Sequence, residues 1–407
     1  MTESAHAVLL GGAAIGTLIQ RGDVARFVFS EDYWTSQHRD VLGLWFEDNP
    51  RQSPQAALRL PPWFSNLLPE GPLRQWIARD RGVSVDRELQ LLLRIGDDLP
   101  GAIQVIQDAG DHGRIDSMGD FAETRAERRV AHASPWKFSL AGVSMKFSML
   151  RSGDRLTIPA QNALGDWIVK FPDSAFPQVP ANEFSIMRLA SQLGIDVPDI
   201  DLVHRDLLPD VPGVVWPSGE EYAYAIRRFD RAENGARVHI EDFAQVRGFY
   251  PDDRYSGSLE TVAALVFRGR DHASLREFIR RTAYNLLVGN GDAHLKNWSL
   301  VYPDGRIPTL APAYDLVCTG AYFAASDPEN IGLRFGRTRS FDRITRAAFT
   351  ALQTKLGVTD EDVLEVVDST TESFFMHWRD GAPAELPPFA KDWITPHAEA
   401  MRSQIAR

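Results

Sequence analysis

Three side chains with oxygen donors follow one another in the second half of the sequence: Asp292, Asn297 and Asp315. Asp292 lies in "GNGDAHLKN", directly after an apolar helical stretch, and Asn297 precedes the predicted strand "WSLVYP". Asp315 lies in "LAPAYDLV", among apolar residues. An acid, an amide, a short hairpin and a second acid is the order that phosphoryl transfer requires. One carboxylate accepts a proton, and the amide and the second carboxylate bind Mg²⁺.

Lysines near these residues could balance the charge of a phosphate. Lys296 could offset negative charge that develops during transfer. Lys170 lies in the predicted strand "DWIVKFP", where a lysine can hold phosphates, and Glu183 is its candidate ion-pair partner. The alternative for "GDAHLKN" is a polar loop at a helix end, and the alternative for Lys170 is an edge-strand or snorkelling side chain.

The segment "SLAGVSMK", residues 139–146, is rich in small residues. Gly142 and its small neighbours could bring backbone N–H groups close to a phosphate, although the segment matches neither a Walker loop nor GxGxxG. An ordinary strand turn is the alternative. His294 belongs to no HxxxH or HExxH pair, so we expect a hydrogen-bonding role for it and no zinc site.

Periodicity predicts the elements that position these residues. Residues 6–30 alternate apolar and small residues around turn signals, which indicates an antiparallel meander. "PPWFSNLLPEGPLRQWIARDRGVS" begins with prolines and ends at Arg81 and Gly82, as a helix does. "DWIVKFP" and "EYAYAIRRFDR" are typical of strands, and "ANEFSIMRLASQLGIDVP" of a helix that ends near Gly194.

Beyond about residue 258 the pattern is helical. Helices are predicted in "SLETVAALVFRG", "HASLREFIRRTAYNLLVGN", "DRITRAAFTALQTKLG", "DEDVLEVVDSTTESFFMHW" and "DWITPHAEAMRSQI". A β-rich half is therefore followed by an α-rich half, and we place the junction near residue 235.

Composition limits the class of protein. With 407 residues, two or three domains or lobes are expected. The formal charge of -11 and the lack of a long basic run argue against nucleic acid as the main direct partner. The start lacks a basic signal region, and no run of about eighteen apolar residues indicates a membrane span. The single cysteine, Cys318, excludes an intrachain disulfide and a cysteine metal site. We expect a cytoplasmic protein without membrane partners.

The quoted motifs resemble those of the HipA-type serine/threonine kinases, the toxins of bacterial HipBA toxin–antitoxin modules. The resemblance rests on "NGDAHLKNWSL" and "LAPAYDLV" and extends through "WFSNLLPEG", "IGDDLPGAIQV", "SLAGVSMKFSML", "WIVKFP", "NEFSIMRLASQLGI", "RRFDR" and "IEDFAQV", in the order of the family. It implies an α/β, two-lobed kinase-like fold with a mixed α/β N-terminal lobe and an all-helical C-terminal lobe. The implied divisions are an N-terminal subdomain at 1–110, the rest of the N-terminal lobe at 111–235 and the C-terminal lobe at 236–407.

The resemblance also implies roles for individual residues. Asp292 matches the catalytic aspartate, Asn297 and Asp315 match the Mg²⁺ ligands, and Ser139 matches the serine that family members autophosphorylate. The implied ATP-binding residues are Ala141, Gly142, Val143, Ser144, Lys146, Lys170, Arg227, Arg228, Phe229, His294, Lys296 and Tyr314. The chain departs from the family pattern at Arg227, where an acid is frequent, and in the loop, where Ser144 replaces glutamine and Met145 precedes the lysine.

The implied function is an ATP- and Mg²⁺-dependent protein kinase that acts as a growth-arrest toxin. The implied substrate is an aminoacyl-tRNA synthetase or another translation component. The implied partner is a helix-turn-helix antitoxin of the HipB type, through which alone the chain would meet DNA. Two alternatives stay open: a small-molecule kinase of the aminoglycoside or choline type, and a catalytically silent co-repressor module.

Overall fold

The computed structural model describes residues 3–50, 52–95, 98–107, 145–159, 164–211, 213 and 215–406. Three antiparallel sheets, with helices packed between and beyond them, make up this part of the chain. The protein is therefore a mixed α/β protein, as predicted. Within the described ranges, no helix combines the length and the apolar character that crossing a lipid bilayer requires.

The first sheet is the predicted meander with two added strands. Its strands are β1 (Glu3–Leu10), β2 (Ala13–Arg21), β3 (Val24–Phe29), β4 (Gln55–Ala57) and β5 (Ile103–Gln107), in the order β4-β3-β2-β1-β5. The helices of this region are α1 (Glu31–Thr35), α2 (Leu44–Asp48), α3 (Pro62–Ser65), α4 (Gly71–Arg81) and α5 (Glu88–Ile95). The stretch predicted as one helix from its prolines to Gly82 is divided into α3 and α4. Pro69 lies between them, and proline lacks the N–H that a helix interior needs.

The second sheet carries the predicted lysine strand at its centre. Its strands are β6 (Lys146–Ser152), β7 (Arg155–Thr157), β8 (Trp167–Lys170), β9 (Ile200–His204) and β10 (Tyr222–Arg227), in the order β7-β6-β8-β10-β9. Helix α6 (Val179–Gln192) connects β8 to β9 and ends two residues before Gly194. The strands and the helix predicted for this region are confirmed.

The second half of the chain is mainly helical, and every predicted helix is present. Its helices are α7 (Phe243–Arg247), α8 (Leu259–Phe267), α9 (His272–Val288), α10 (Arg346–Leu356), α11 (Leu364–Asp380) and α12 (Pro388–Ile405). The expectation of an all-helical C-terminal lobe is wrong. β11 (His239–Asp242), β12 (Ser299–Tyr302) and β13 (Thr309–Leu310) form a third sheet, in which β11 and β13 pair with the two edges of β12 and satisfy its backbone.

Two apolar cores hold these elements. One joins the first two sheets and contains Phe27 and Trp63 together with Phe147 and Val169. The other fills the helical half and also takes in the buried face of α6, including Ile186. Because α6 contributes to the second core while it connects two strands of the second sheet, it couples the two halves. The divisions at residues 110 and 235 stay predictions.

Candidate active site

A row of polar side chains crosses the middle of the second sheet. Lys146 on β6 and Tyr224 on β10 both pair with Lys170 on β8. Residues directly opposite in antiparallel strands share one face of a sheet, so the three side chains lie side by side. The Lys170 ammonium lies 5.6 Å from the centroid of the Tyr224 ring. Two lysines, separated by 24 positions in sequence, thus face the same space.

Lys170 is held by two carboxylates from different elements. Its Nζ lies 2.5 Å from Oε1 of Glu183 on α6, and it also forms a salt bridge with Asp315. Burial raises the pKa of Glu183 to about 7, although the charge of Lys170 opposes this. Burial opposes ionisation of Asp315 too, but Lys170 and Lys146 outweigh it and lower the pKa of Asp315 to about 2. The predicted pairing of Lys170 with Glu183 is confirmed as a contact.

Lys146 is the second cation of this group and is almost completely buried, at 8% exposure. Burial lowers the pKa of Lys146, although the Asp315 carboxylate opposes this. A buried ammonium is costly without a counter-charge. Lys170 already has two carboxylate partners, so it is the ammonium of Lys146 that an anionic ligand such as a phosphate would balance.

Asp292 lies in a tight turn directly after helix α9. The helix ends at Val288, and Gly289 follows in the left-handed conformation, with φ 68°. The Asn290 side-chain oxygen accepts the Asp292 backbone N–H at 3.2 Å, and the Asp292 carbonyl accepts Nδ2 of Asn297 at 2.8 Å. Two amide side chains therefore fix the backbone of the turn on both sides of Asp292.

The carboxylate of Asp292 accepts a hydrogen bond from a residue that the sequence did not suggest. The Tyr255 hydroxyl donates to Asp292 Oδ1 at 2.5 Å. Burial raises the pKa of Asp292 above its usual range, and the hydrogen bond from Tyr255 opposes this shift. Burial also raises the pKa of Tyr255 to about 12, and the nearby Asp292 charge adds to this, so the phenol stays a donor. A half-buried carboxylate with an adjacent hydroxyl donor is suited to act as a general base.

Asn297 and Asp315 line the same pocket, which reaches the turn at Asn290 and Ala293. Because Nδ2 of Asn297 donates to the turn, its amide oxygen is the atom that remains for a ligand. Amide and carboxylate oxygens suit Mg²⁺, which is usually bound by one or two carboxylates together with substrate phosphates. Among the residues that the structure describes, no group of three or more His, Cys, Asp or Glu could hold a metal ion. Asn297 and Asp315 thus fit a shared site completed by phosphates.

Lys296 and His294 are buried in the same turn but have different surroundings. The Lys296 ammonium donates to the side-chain and backbone oxygens of Asn66, at 2.8 Å and 3.1 Å, and lies 3.4 Å from both Glu70 and Asp242. The contacts with Asn66 and Glu70 attach the turn to the region of the first sheet, so the ammonium is already bound by protein groups. Burial lowers the pKa of His294 to about 3, and its ring packs edge-on against Tyr255.

Arg227 at the end of β10 and the residues after it, expected to contact the nucleotide, are largely bound by protein groups. The backbone N–H groups of Arg227 and Arg228 donate to the carbonyl groups of Asp199 and Asp166, each at 2.8 Å. The Arg228 guanidinium lies in a buried ionic cluster. Its partners include Asp98, Asp230 and Ser148. The side chain of Arg228 therefore joins this segment to Asp98, in the region of the first sheet, and to Ser148 on β6.

Phe229 and Tyr314 form an aromatic pair beside the pocket, with ring centroids 5.7 Å apart. The Tyr314 hydroxyl bonds to Ser299 at 2.5 Å and donates to the Lys296 carbonyl at 3.0 Å. Among the residues expected to bind ATP, these two aromatic rings offer an apolar surface to a flat ligand. Ser139 and the loop residues Ala141, Gly142, Val143 and Ser144 lie outside the described residues.

Comparisons with known proteins identify the family of the chain. The family model described as the HipA-like C-terminal domain matches residues 138–378, and that of the HipA N-terminal domain matches residues 6–106. The putative kinase Y4dM of Sinorhizobium fredii is 40% identical over 406 residues, covering 96% of this chain and 95% of that protein. The serine/threonine-protein kinase toxin HipA of Shewanella oneidensis is 28% identical over 291 residues, covering 63% and 62%.

A solved structure is similar over almost the whole chain. In the complex of Shewanella oneidensis HipA and HipB with operator DNA, one chain aligns with a TM-score of 0.74 and 22% identity. The alignment covers 98% of this chain and 97% of that one. At this identity the comparison supports the fold.

Proposed function

The chain belongs to the HipA family of kinases, and from this premise we propose that it is an ATP- and Mg²⁺-dependent serine/threonine protein kinase. The observation that carries the proposal is the meeting of Lys170, Glu183 and Asp315, which come from a strand, a helix and a loop. In protein kinases a strand lysine paired with a helix glutamate holds the phosphates, and a nearby aspartate holds the metal.

The residues of the site then have separate tasks. Asp292 accepts the proton of the acceptor hydroxyl as the oxygen attacks the terminal phosphate of ATP, and ADP leaves. Lys146 and Lys170 hold the phosphates by charge. The oxygens of Asn297 and Asp315 would hold Mg²⁺, and the bound ion would neutralise phosphate charge. Phe229 and Tyr314 lie where the adenine ring could pack.

Replacement of Asp292 tests this assignment. Asp292→Asn keeps the shape of the side chain and removes its basicity, so we expect turnover to fall by about 10²-fold or more. ATP binding should stay close to that of the parent. Asp154→Asn, an exposed residue in the turn between β6 and β7, is the matched control. Phosphoproteomics after brief induction of the parent and of each variant would identify the substrate. Parental labelling by Asp292→Asn would refute the role of this residue, and labelling of a metabolite alone would favour the small-molecule kinase.

A regulatory role for Ser139 follows from the same premise. We propose that Ser139 is phosphorylated by the chain itself and that the added charge, about -1.5 to -2, repels ATP from the adjoining loop. Mass spectrometry after incubation with Mg-ATP should find phosphate on the Ser139 peptide, and none in Asp292→Asn. An unmodified chain that stays active would refute this switch.

The proposed biological role is that of a toxin in a toxin–antitoxin pair. The similarity to a chain solved in complex with HipB and operator DNA supports an antitoxin of the HipB type as partner, with DNA bound through it. An aminoacyl-tRNA synthetase or another translation component is the proposed substrate. Co-purification with the product of a neighbouring helix-turn-helix gene, in a ratio that survives gel filtration, would test the partnership.

A further inference from the structure

A group of arginines has no task in this mechanism. It belongs to a segment that packs against the turn after α9 that carries Asp292, which we call the catalytic turn. Residues 331–343, which we name the arginine hairpin, contain Arg334, Arg337, Arg339 and Arg343. All four residues are exposed. The chain as a whole has a formal charge of -11, so this segment concentrates positive charge against the overall balance.

The backbone of the arginine hairpin is well fixed. The Phe335 N–H donates to the Thr338 carbonyl at 2.9 Å, and the Ile331 N–H donates to the Arg339 carbonyl at 2.8 Å. Gly336 has φ 61°, in the left-handed region that a tight hairpin turn needs. Leu333 and Phe335 are buried in the second core. Alternation of buried and exposed residues therefore anchors the segment while the four arginines stay on the surface.

The arginine hairpin touches the catalytic turn directly at one place and contacts Tyr255, which bonds to Asp292, at another. A Cβ placed on Gly332 would lie 2.8 Å from the carbonyl carbon of Ala293, so the two backbones are packed closely. The Arg339 guanidinium donates to the backbone carbonyl of Tyr255, whose hydroxyl bonds to Asp292. Tyr255 thus contacts both Arg339 of the hairpin and the proposed general base, Asp292.

Two acids at the arginine hairpin, Glu260 and Asp342, bond to groups other than the four arginines. Glu260 accepts the Gly336 N–H at 2.7 Å, and Asp342 accepts the Ser340 hydroxyl. In the described parts of the chain, none of the four guanidinium groups forms a salt bridge. Their planar donor groups match the two oxygens of a carboxylate. Arg334, Arg337 and Arg343 are therefore available to an anionic partner, whereas Arg339 already donates to the Tyr255 carbonyl.

We propose that the arginine hairpin binds acidic side chains that flank the acceptor serine or threonine of a protein substrate. This inference rests on the proposed kinase function and specifies its substrate class. The arginine hairpin is short and adjoins the proposed site of phosphoryl transfer. A surface that contacts the residues next to the acceptor must have this position. Binding of a nucleic acid backbone relies on a longer basic track than one hairpin on an acidic protein provides.

Binding measurements with the full chain test the inference without relying on catalysis. The probe is a fluorescein-labelled serine peptide flanked by aspartates, and the comparison peptide carries asparagines instead. In fluorescence anisotropy we expect Arg334→Gln/Arg337→Gln to weaken binding of the aspartate peptide roughly tenfold, and binding should weaken further as salt screens the charges. The asparagine peptide should bind the parent and the double variant alike.

Arg26→Gln/Arg155→Gln changes the net charge equally on exposed residues of the first two sheets and is the matched control. It should bind the aspartate peptide as the parent does. Equal binding of both peptides to the parent, or equal loss in the control, would overturn the proposal. Tighter binding of a single-stranded RNA, lost in Arg334→Gln/Arg337→Gln, would assign the surface to nucleic acid instead.

Phosphorylation of a positional library of serine peptides separates this inference from the proposed function. Labelling that depends on Asp292 and prefers acidic neighbours, with the preference lost in Arg334→Gln/Arg337→Gln, supports both. Labelling with no acidic preference refutes the substrate class and leaves the kinase standing. Arginine-dependent binding of the aspartate peptide, with no labelling of any protein or peptide, refutes the kinase and leaves the docking surface standing.

Discussion

Tyr255→Phe should change the pH dependence of the reaction more than its maximal rate. The substitution removes one hydroxyl, which donates to Asp292 Oδ1 at 2.5 Å. The ring stays, and with it the edge-on contact to His294, 5.0 Å between centroids, and the Arg254 guanidinium over its face. Packing is therefore kept while the proposed base loses its hydrogen-bond donor.

The size of the effect follows from the loss of a hydrogen bond to a charged group. Such a bond contributes about 1.5–3 kcal/mol, and about 1.4 kcal/mol corresponds to one pKa unit. Tyr255 is 36% exposed, so water replaces part of the lost bond, and we expect the pKa of Asp292 to rise by about one unit. The sign is upward because the bond favours the ionised carboxylate. A base must be ionised to act, so the acid limb of the rate moves to higher pH.

The assay is a single-turnover measurement of phosphate transfer at saturating Mg-ATP, repeated across the range from about pH 5 to about pH 9. The variant should be slower than the parent at low pH and approach it as pH rises. Tyr222→Phe, which changes an exposed tyrosine at the start of β10, should leave the profile unchanged. An unshifted acid limb, or a loss of rate that is equal at every pH, would refute the reasoning.

Three further substitutions probe other buried ionisable side chains. Glu183→Gln removes one partner of Lys170, so KM for ATP should rise about tenfold in steady-state assays, and an unchanged KM would contradict the role of the pair. Lys296→Met leaves Asp242 without its counter-charge and Glu70 with Arg254 as its remaining salt-bridge partner. Chemical denaturation should show that the free energy of unfolding falls by about 3 kcal/mol, and an unchanged midpoint would contradict this. Burial lowers the pKa of His239 from 6.5 to about 4, so its contribution to stability is present above pH 6.5 and is lost as pH falls towards 4. The free energy of unfolding, obtained from urea denaturation over this range, should fall less steeply for His239→Gln than for the parent. The difference should reach roughly 3 kcal/mol, and parallel curves would exclude His239 as the cause.

The sequence predicted elements and residue types better than it predicted directions of side chains. Helix α9 could be placed because its apolar spacing ends at Gly289, and the strand of Lys170 because of its apolar, β-prone composition. Periodicity does not encode where a side chain in an irregular turn points. From its position, the sequence analysis predicts that Lys296 offsets the charge of the transferred phosphate. In the structure its ammonium is bound by Asn66, in the region of the first sheet.

Contacts between distant segments were the part that the sequence did not indicate. Tyr255 precedes Asp292 by 37 positions and lies outside any chemical motif, and its contact with Asp292 depends on how the segment after α7 folds back on the turn. Asp98 and Asp230 form buried salt bridges with Arg228. The sequence feature that pointed to this cluster was the high density of charged residues in "RRFDR". Charged residues so close together either face water or pair with each other, and sequence alone does not distinguish the two.

Asp315 shows how the chemistry of a side chain can overrule the preference of the backbone. Its φ of 56° lies in the left-handed region, which costs a residue with a Cβ about 1–2 kcal/mol, although Asp tolerates it better than most. Glycine would avoid this cost, but Lys146 and Lys170 would then lose the carboxylate that balances them. The conformation is held from both sides, by Lys170 at the carboxylate and by the Asn290 amide, which donates to the Asp315 carbonyl at 3.4 Å. Strain that persists because surrounding groups determine it is typical of functional positions, so the backbone of Asp315 supports the same site as its charge does.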